Sequence, residues 1–472
     1  MHNSDLQDLL EQYQAQRKTL LQEAFDLKYG GLHFTQEDLK ANEIFENLRK
    51  LQTQQLNPQF HFQTLDYRRE IEASSLYSLL TEMPKGSLHH IHVAFYLPSQ
   101  WFAKNCLNPE VYLNDSGKIS VFEQPPAEGE WKNVLKLREE AVDKAEFDKK
   151  LEDYFHLTDE DRKVPNVWGP FQFKIANRLG LCYRPGLWKS YILECCLHAV
   201  KEGFTNFQIR TYVPNFGDNH DKFEIDDGEI QIYKDCEAEV KKVEPAFSLG
   251  LIFTGFRIWP LDKIKALLYF SREIKKRHGD LIIGYDLVGE EKQRDALDFA
   301  GVFLENEANG KAQGISFPPI LHGGEILDQG NLNLYDLYLY KSQRAGHAIN
   351  LFKHPSLYPK YKESNICIEV NPISNQVLKY VADLRLHPAI NYHNSGLRIS
   401  LSSDDPGLFK TDTTWDFFVA CISFEFNLLD FKKIVVNSIE CSCMSEEIKE
   451  ALMKDWQEKW DRFVKKIIDK GF

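Results

Sequence analysis

The stretch Met83-Pro84-Lys85-Gly86-Ser87-Leu88-His89-His90-Ile91-His92 decides how the rest of the chain is read. Residues i and i+2 of a strand point to the same face, so His90 and His92 can present two imidazoles to one metal ion. Taken alone, a His-x-His pair more often does no more than end a strand. Polar clusters much farther along the chain reverse that weighting.

From Met83 onward, apolar, β-branched runs alternate with helical stretches. The runs read as strands are Ser87 to Val93, Asn206 to Val213, Phe247 to Thr254, Leu281 to Leu287, Ile315 to His322, Ala345 to Leu351, Cys367 to Val370 and Leu397 to Ser402. Eight strands alternating with helices predict an α/β fold, a (β/α)8 TIM barrel of the kind that places its active site at the C-terminal strand ends. Chemistry-bearing residues recur at those ends. After the fifth run comes His322-Gly323-Gly324-Glu325, a third imidazole and a proton carrier around two glycines that let a ligand approach the backbone. Arg344-Ala345-Gly346-His347 follows, and after the eighth run Ser402-Ser403-Asp404-Asp405-Pro406 brings two adjacent carboxylates. Each cluster has a bland reading as a turn, a core histidine or a helix start. Four of them at successive strand ends point instead to one site. Three histidines and a carboxylate suit zinc with a position open for water, which is hydrolytic chemistry.

Outside the barrel, residues 1–82 read as an N-terminal helical extension. Ser4 and Gln7 make a capping box ahead of Leu6, Leu9, Leu10, Tyr13, Leu20, Leu21 and Phe25, and a second helix starts at Thr35. Their apolar faces need a cover, either the parent domain or a second copy of the chain. Residues 83–106 hold the first strand and its loop. Residues 107–164, charged and turn-rich, read as an insertion in the first βα loop, and 165–444 as the remainder of the barrel. Residues 445–472 carry a closing helix from Ser445 to about Ile468 with the apolar stripe Leu452, Trp456, Trp460 and Phe463.

Length and composition bound the partners. A chain of 472 residues with 43% hydrophobic and 13% aromatic residues has a sizeable core. A formal net charge of −13 argues against nucleic acid and anionic membrane, and no apolar run approaches the length of a membrane span. Nine cysteines, with no Cys-x-x-Cys, read as reduced thiols; the sequon Asn114-Asp115-Ser116 points weakly the other way. The charged stretch Met1 to Phe25 has no apolar leader, so the expectation is a cytoplasmic protein, or one whose leader lies outside this sequence.

These strings resemble the adenosine deaminase family of amidohydrolases, in its adenosine deaminase-related growth factor branch. The likeness runs over nearly the whole chain. It includes Met83-Pro84-Lys85-Gly86, Asp286-Leu287-Val288-Gly289-Glu290, Pro372-Ile373-Ser374-Asn375-Gln376-Val377-Leu378, Asp383-Leu384-Arg385 with His387-Pro388, and Ser402 to Gly407. The resemblance implies one zinc per chain on His90, His92, His322 and Asp404. It implies that Glu325 protonates N1 of a purine while water activated by the metal attacks C6, and that His347 stabilises charge as ammonia leaves. It further implies that Asp405 bonds N7, that Gly289 and the neighbouring Gly324 meet the base, and that Trp168 lines the pocket. A homodimer through the N-terminal helices is implied as well.

Departures from the family pattern cluster on the sugar side. Val93 stands where the branch has an acid after the second histidine, and Phe256 where it has a histidine; Ile326, Ala348 and Asn371 differ too. The expected function is zinc-dependent deamination of adenosine or an adenine nucleoside. The first alternative is a 5′-modified adenosine, a nucleotide or another purine as substrate. The second, from a different class, is a growth-factor-like binding protein with vestigial activity, against which the intact Glu325, His347 and Asp404 argue.

Overall fold

The computed structural model describes residues 3–126, 130–182, 185–211 and 227–471. Eight parallel strands follow one another in chain order: β1 (Gly86–His92), β2 (Phe204–Thr211), β3 (Ser248–Phe256), β4 (Ile282–Val288), β5 (Leu321–Gly323), β6 (Arg344–His347), β7 (Cys367–Val370) and β8 (Ile399–Leu401). β1 to β4 pair as one four-stranded sheet and β5 to β8 as another. Backbone bonds join the two halves at both seams. Asp404 N donates to His90 O at 3.0 Å and His92 N to Asp404 O at 3.2 Å, while Ile320 N donates to Tyr285 O at 2.8 Å. The result is a (β/α)8 barrel. Its strands are buried along their length because helices cover the outside and side chains fill the inside.

Three strands are shorter than their apolar runs predict, the eighth spanning only Ile399–Leu401. The fifth begins at Leu321 and not at Ile315, because Pro318 and Pro319 have no N–H to give a ladder. The sixth ends at His347, where His347 and Ala348 take positive φ (63° and 47°) and turn the chain into a 3-10 helix. Of the second run, Tyr212 and Val213 lie outside the described residues.

Between β1 and β2 the chain makes three short antiparallel strands (Val111–Leu113, Ile119–Val121, Lys132–Asn133) and several helices, ending in Trp168–Cys182 and Pro185–Lys201. The first helix runs from Asn3 to Tyr29, with Ser4 inside it. The second, Gln36–Gln55, is capped by Thr35 in a full capping box with Asp38. The closing helix Glu446–Lys470 buries Trp456 and Trp460. Their indole N–H groups donate to Pro84 O (3.2 Å) and Asp38 Oδ1 (2.8 Å), fastening this helix to the lead into β1 and to the second helix. Among the described residues, no helix is long and apolar enough to cross a membrane.

Candidate metal centre and active site

β1 delivers His90 and His92 to the same end of the barrel, β5 delivers His322, and the turn after β8 delivers Asp404. One ligand atom from each lies within 4.8 Å of the others. Nε2 of His322 sits 3.0 Å from that of His90 and 3.3 Å from that of His92. Two ring nitrogens whose proton is committed elsewhere have no reason to converge on each other, but every reason to converge on a cation between them. Asp404 Oδ1 completes the set, 3.3 Å and 3.2 Å from the same two β1 nitrogens and without a hydrogen bond of its own. A buried carboxylate oxygen with no donor is costly unless a ligand takes it.

The far nitrogens of the rings are committed. His90 Nδ1 donates to Glu369 (2.8 Å) and His322 Nδ1 to Asp286 (2.6 Å), which leaves each Nε2 with a lone pair aimed into the cluster. Arg210 ties the two carboxylates together, bonding Asp286 at 2.6 Å and Glu369 at 2.7 Å. Arg344 holds the other oxygen of Glu369 at 2.6 Å. Burial alone would raise these carboxyls, but the facing His322 and Arg210 at Asp286, and Arg210 and Arg344 at Glu369, outweigh it and keep both ionised. Asp404 is likewise held well below its ordinary range, since the His90 and His92 rings overcome its burial.

Gly346 explains the small residues on β6. A Cβ there would meet His90 Cε1 at 3.0 Å and His322 Cα at 3.2 Å, so any side chain would push the ligands apart. His347, one residue on, turns its Nε2 toward Glu325 Oε1 (3.6 Å) and Asp404 Oδ2 (3.8 Å). Its Nδ1 receives the Asn375 amide at 3.1 Å, with Asn371 at 3.4 Å, so the ring proton of the neutral form belongs on Nε2. Burial pushes this imidazole well below its usual pKa. Positive φ at His347, Ala348 and Asp404 (61°) marks backbone held in strained conformations around the cluster.

Glu325 and Asp405 are carboxyls of the opposite kind. Burial, then the charges of Asp404 and Glu291, push Glu325 well above its ordinary pKa. Burial and Asp404 do the same to Asp405, whose Oδ1 also lacks a partner. In each the shift favours the protonated form, the form able to donate to a ring nitrogen.

His92, His322, Glu325, His347, Asp404 and Asp405 line one cavity of about 330 Å³, and His90 lies behind them. Trp168 and Gly289 border it; the Trp168 indole N–H is fixed to Tyr380 Oη at 3.0 Å, and Gly289 has φ 102°, open only to glycine. Phe256, at the end of β3, is also on the wall, with Phe95, Phe171, Ile175, Ile258 and Val288. Val93 is elsewhere. The chain leaves the β1 strand after His92 for a 3-10 turn, so Val93 is buried in the core and only its carbonyl is engaged, by Tyr191 at 2.6 Å. Gly324 does not border the cavity. Its φ of 67° bends the turn, and its N–H donates to Glu291.

Sequence reasoning missed the supports. Glu291 accepts N–H from Gly324 (2.7 Å), Glu325 (2.9 Å) and Ile326 (3.2 Å) and from the Asn333 amide (2.7 Å), so one buried carboxylate builds the turn that carries Glu325. Ser374 donates to Asp404 Oδ2 at 2.7 Å. Glu369, Arg210, Asn371 and Asn375 act the same way on the histidines. A charged residue inside an apolar strand run was the available signal for Arg210 and Glu369.

A family model described as adenosine deaminase matches residues 240–459. Adenosine deaminase 2 of Dictyostelium discoideum is 28% identical over 99% of this chain and 90% of its own length. Adenosine deaminase 2 of Homo sapiens is 26% identical over 92% of this chain and 88% of its own length. Among solved structures, an amidohydrolase from Burkholderia ambifaria with bound Zn superposes with a TM-score of 0.61 at 16% identity, covering 83% of this chain and 94% of that one. An Arabidopsis N6-mAMP deaminase gives 0.60 at 16% identity, covering 81% and 99%. At these identities the structural likeness speaks for the barrel alone.

Proposed function

Because the chain belongs to the adenosine deaminase family, on the branch of the adenosine deaminase 2 proteins, we propose that this hydrolytic deaminase holds one zinc ion and removes the 6-amino group of an adenine nucleoside. The convergence of three histidine Nε2 atoms on the unbonded Asp404 Oδ1, at the edge of a cavity that also holds Glu325, carries the reading. Zinc bound there would lower the pKa of water toward about 7, making a nucleophile available at neutral pH.

The chain's own residues do the rest. Glu325, protonated, donates to N1 of the base and so draws electrons away from C6. Asp405, also protonated, donates to N7 and orients the ring, with the Gly289 backbone against the base edge. His347 keeps its proton on Nε2, facing Glu325 and Asp404, where it stabilises the charge that develops as C6 becomes tetrahedral. Trp168, Phe171 and Phe95 keep bulk water from the reacting atoms. The exposed Leu6, Leu9, Leu10 and Tyr13 on the first helix support a homodimer through that helix.

One observation favours a substrate altered at the sugar. Among the described residues lining the cavity none is Lys or Arg, and the wall away from the histidines is mostly apolar, with Gln172 and Gln293 as its neutral polar side chains. A free 5′-hydroxyl buried there without a partner costs about 1 to 3 kcal/mol, roughly one to two decades in kcat/KM. An apolar 5′ substituent escapes that penalty, and a phosphate finds no cation among those residues. The test is ammonia release from adenosine, 2′-deoxyadenosine, 5′-methylthioadenosine and AMP, alongside elemental analysis of wild type and of His90→Ala/His92→Ala. About one zinc per chain, lost in the variant, is expected, with 5′-methylthioadenosine preferred. Equal zinc in both proteins removes the metal assignment; preference for plain adenosine removes the altered-pocket reading and leaves the deaminase.

A further inference from the structure

Separate pieces of the cavity wall meet at a single buried guanidinium. The helix Trp168–Cys182 borders the cavity with Trp168, Phe171, Gln172 and Ile175, which share one helix face through their i, i+3, i+4 and i+7 spacing. Arg178 continues the flank of that face beyond Ile175, is fully buried, and does not itself border the cavity. Its Nε donates to Phe155 O at 2.7 Å, its Nη1 to Leu97 O at 2.8 Å and its Nη2 to Gly407 O at 2.6 Å. The three carbonyls belong to three segments. Phe155 ends the 3-10 turn Asp153–Phe155 between β1 and β2. Leu97 follows the turn after β1 that sets Phe95 on the cavity wall, and Gly407 lies in the short helix Pro406–Phe409 directly after Asp405.

The junction is tight. A Cβ at Gly407 would meet Leu97 O at 2.1 Å, Phe95 O at 2.7 Å and Arg178 Nη1 at 2.8 Å. The guanidinium carbon stands 4.3 Å from the centre of the Phe102 ring, and that ring stacks on Phe155 at 5.4 Å. Phe171 of the wall helix stacks on Phe409 at 6.2 Å, beside the bond from Leu157 N to Leu408 O at 2.8 Å. A planar fork with donors on three sides can serve three carbonyls at once, which a lysine ammonium on a flexible stem cannot match. Burial lowers Arg178 to about 10, which leaves it charged at neutral pH. The zinc ligands lean on other groups: His90 on Glu369, His322 on Asp286 and Asp404 on Ser374.

We propose that Arg178 is a positioning residue of the pocket: by clamping three main-chain carbonyls it fixes the wall helix, with Trp168 and Phe171, against the turns that carry Phe95 and Asp405, and so sets the fit of the substrate. The role rests on the deaminase reading above. It acts on the unreacting parts of the substrate, whose contacts are the same in the ground and transition states, so loosening the clamp raises KM and spares both kcat and the metal. A residue that only stabilises the fold does the reverse, lowering the amount of folded enzyme while KM stays as it is.

The test compares full-length wild type with Arg178→Lys and Arg178→Met. Zinc content, KM and kcat per zinc are measured with the nucleoside that wild type deaminates best, and amide hydrogen exchange is followed by mass spectrometry. Arg178→Lys should keep its zinc and its kcat per zinc while KM rises about tenfold, and Arg178→Met, which has no donor left, should go further. Exchange should quicken together in the peptides covering 94–97, 153–157 and 405–409, and not in β5 to β7. If Arg178→Met does not fold, Arg178→Lys carries the test alone. A folded, zinc-loaded Arg178→Lys with wild-type KM overturns the positioning role, and unchanged exchange in the three segments overturns the clamp. A wild type that releases ammonia from no nucleoside refutes the deaminase reading instead, and the exchange arm then decides the clamp by itself.

Discussion

Glu291→Gln tests whether one carboxylate outside the reacting set builds the turn that carries Glu325. Glu291 is 3% exposed and its two oxygens accept four N–H groups, two each. Glutamine keeps one oxygen and so two of the four bonds, and its new NH2 group faces the other two donors head-on. At about 1.5 to 3 kcal/mol for each bond to a charged acceptor, the loss is about 3 to 6 kcal/mol before the turn relaxes. The part the turn recovers by moving shows up in catalysis, where displacement of a reacting group by about 1 Å costs on the order of a hundredfold. The substitution also removes a negative charge that helps to raise the Glu325 pKa. Glu325 acts protonated and loses activity as pH rises through its pKa, so the alkaline limb of the kcat profile should move to lower pH. The measurements are the denaturant midpoint, zinc content and kcat against pH for wild type and Glu291→Gln. A zinc-loaded variant with wild-type stability, wild-type kcat and an unmoved alkaline limb refutes the reasoning.

Three further outcomes are expected. Glu325→Gln should retain zinc and lose several orders of magnitude in kcat, because an amide hydrogen-bonds but transfers no proton; near-normal turnover would remove Glu325 from its role. Gly346→Ala should weaken zinc retention against a chelator, since its methyl group would enter the space between His90 and His322; retention equal to wild type would show that the two ligands yield easily. Asp430, bonded to His393 (2.9 Å), Lys28 (2.6 Å) and Tyr29 (2.8 Å), has its pKa lowered to about 2 because these partners, His393 foremost, outweigh its burial. A depressed carboxylate stabilises the fold above its unfolded value of about 3.8, and that contribution of about 2 kcal/mol disappears as pH falls toward about 2. The stability gap between wild type and Asp430→Asn should therefore close between about pH 4 and pH 2, and a constant gap would contradict the linkage.

The candidate site was legible in the sequence because its residues are short-range signals. His90 and His92 lie two apart on a strand, and period-2 geometry alone puts them on one face. His322-Gly-Gly-Glu325 and Asp404-Asp405 sit at strand ends, and the eight apolar runs announce the barrel that brings those ends together. Strand lengths were less legible, since Pro318 and Pro319 interrupt a run that hydrophobicity alone extends to Ile315. Val93 was set on the sugar side by the family resemblance, and the structure buries it in the core because the strand ends at His92 and the chain turns there.

Tertiary structure alone decided the supports. Glu369 and Arg210 are 159 positions apart, and Glu291 reaches residues 33 to 42 positions away. A charge inside an apolar run marks Arg210 and Glu369, but nothing local names the partners of any of the three, because a buried carboxylate acquires its role from whichever donors barrel closure sets against it. Sequence determined which groups can bind a metal or carry a proton. The fold determined which of them are buried and face to face, and burial with a partner is what moves a pKa or holds a ring in place.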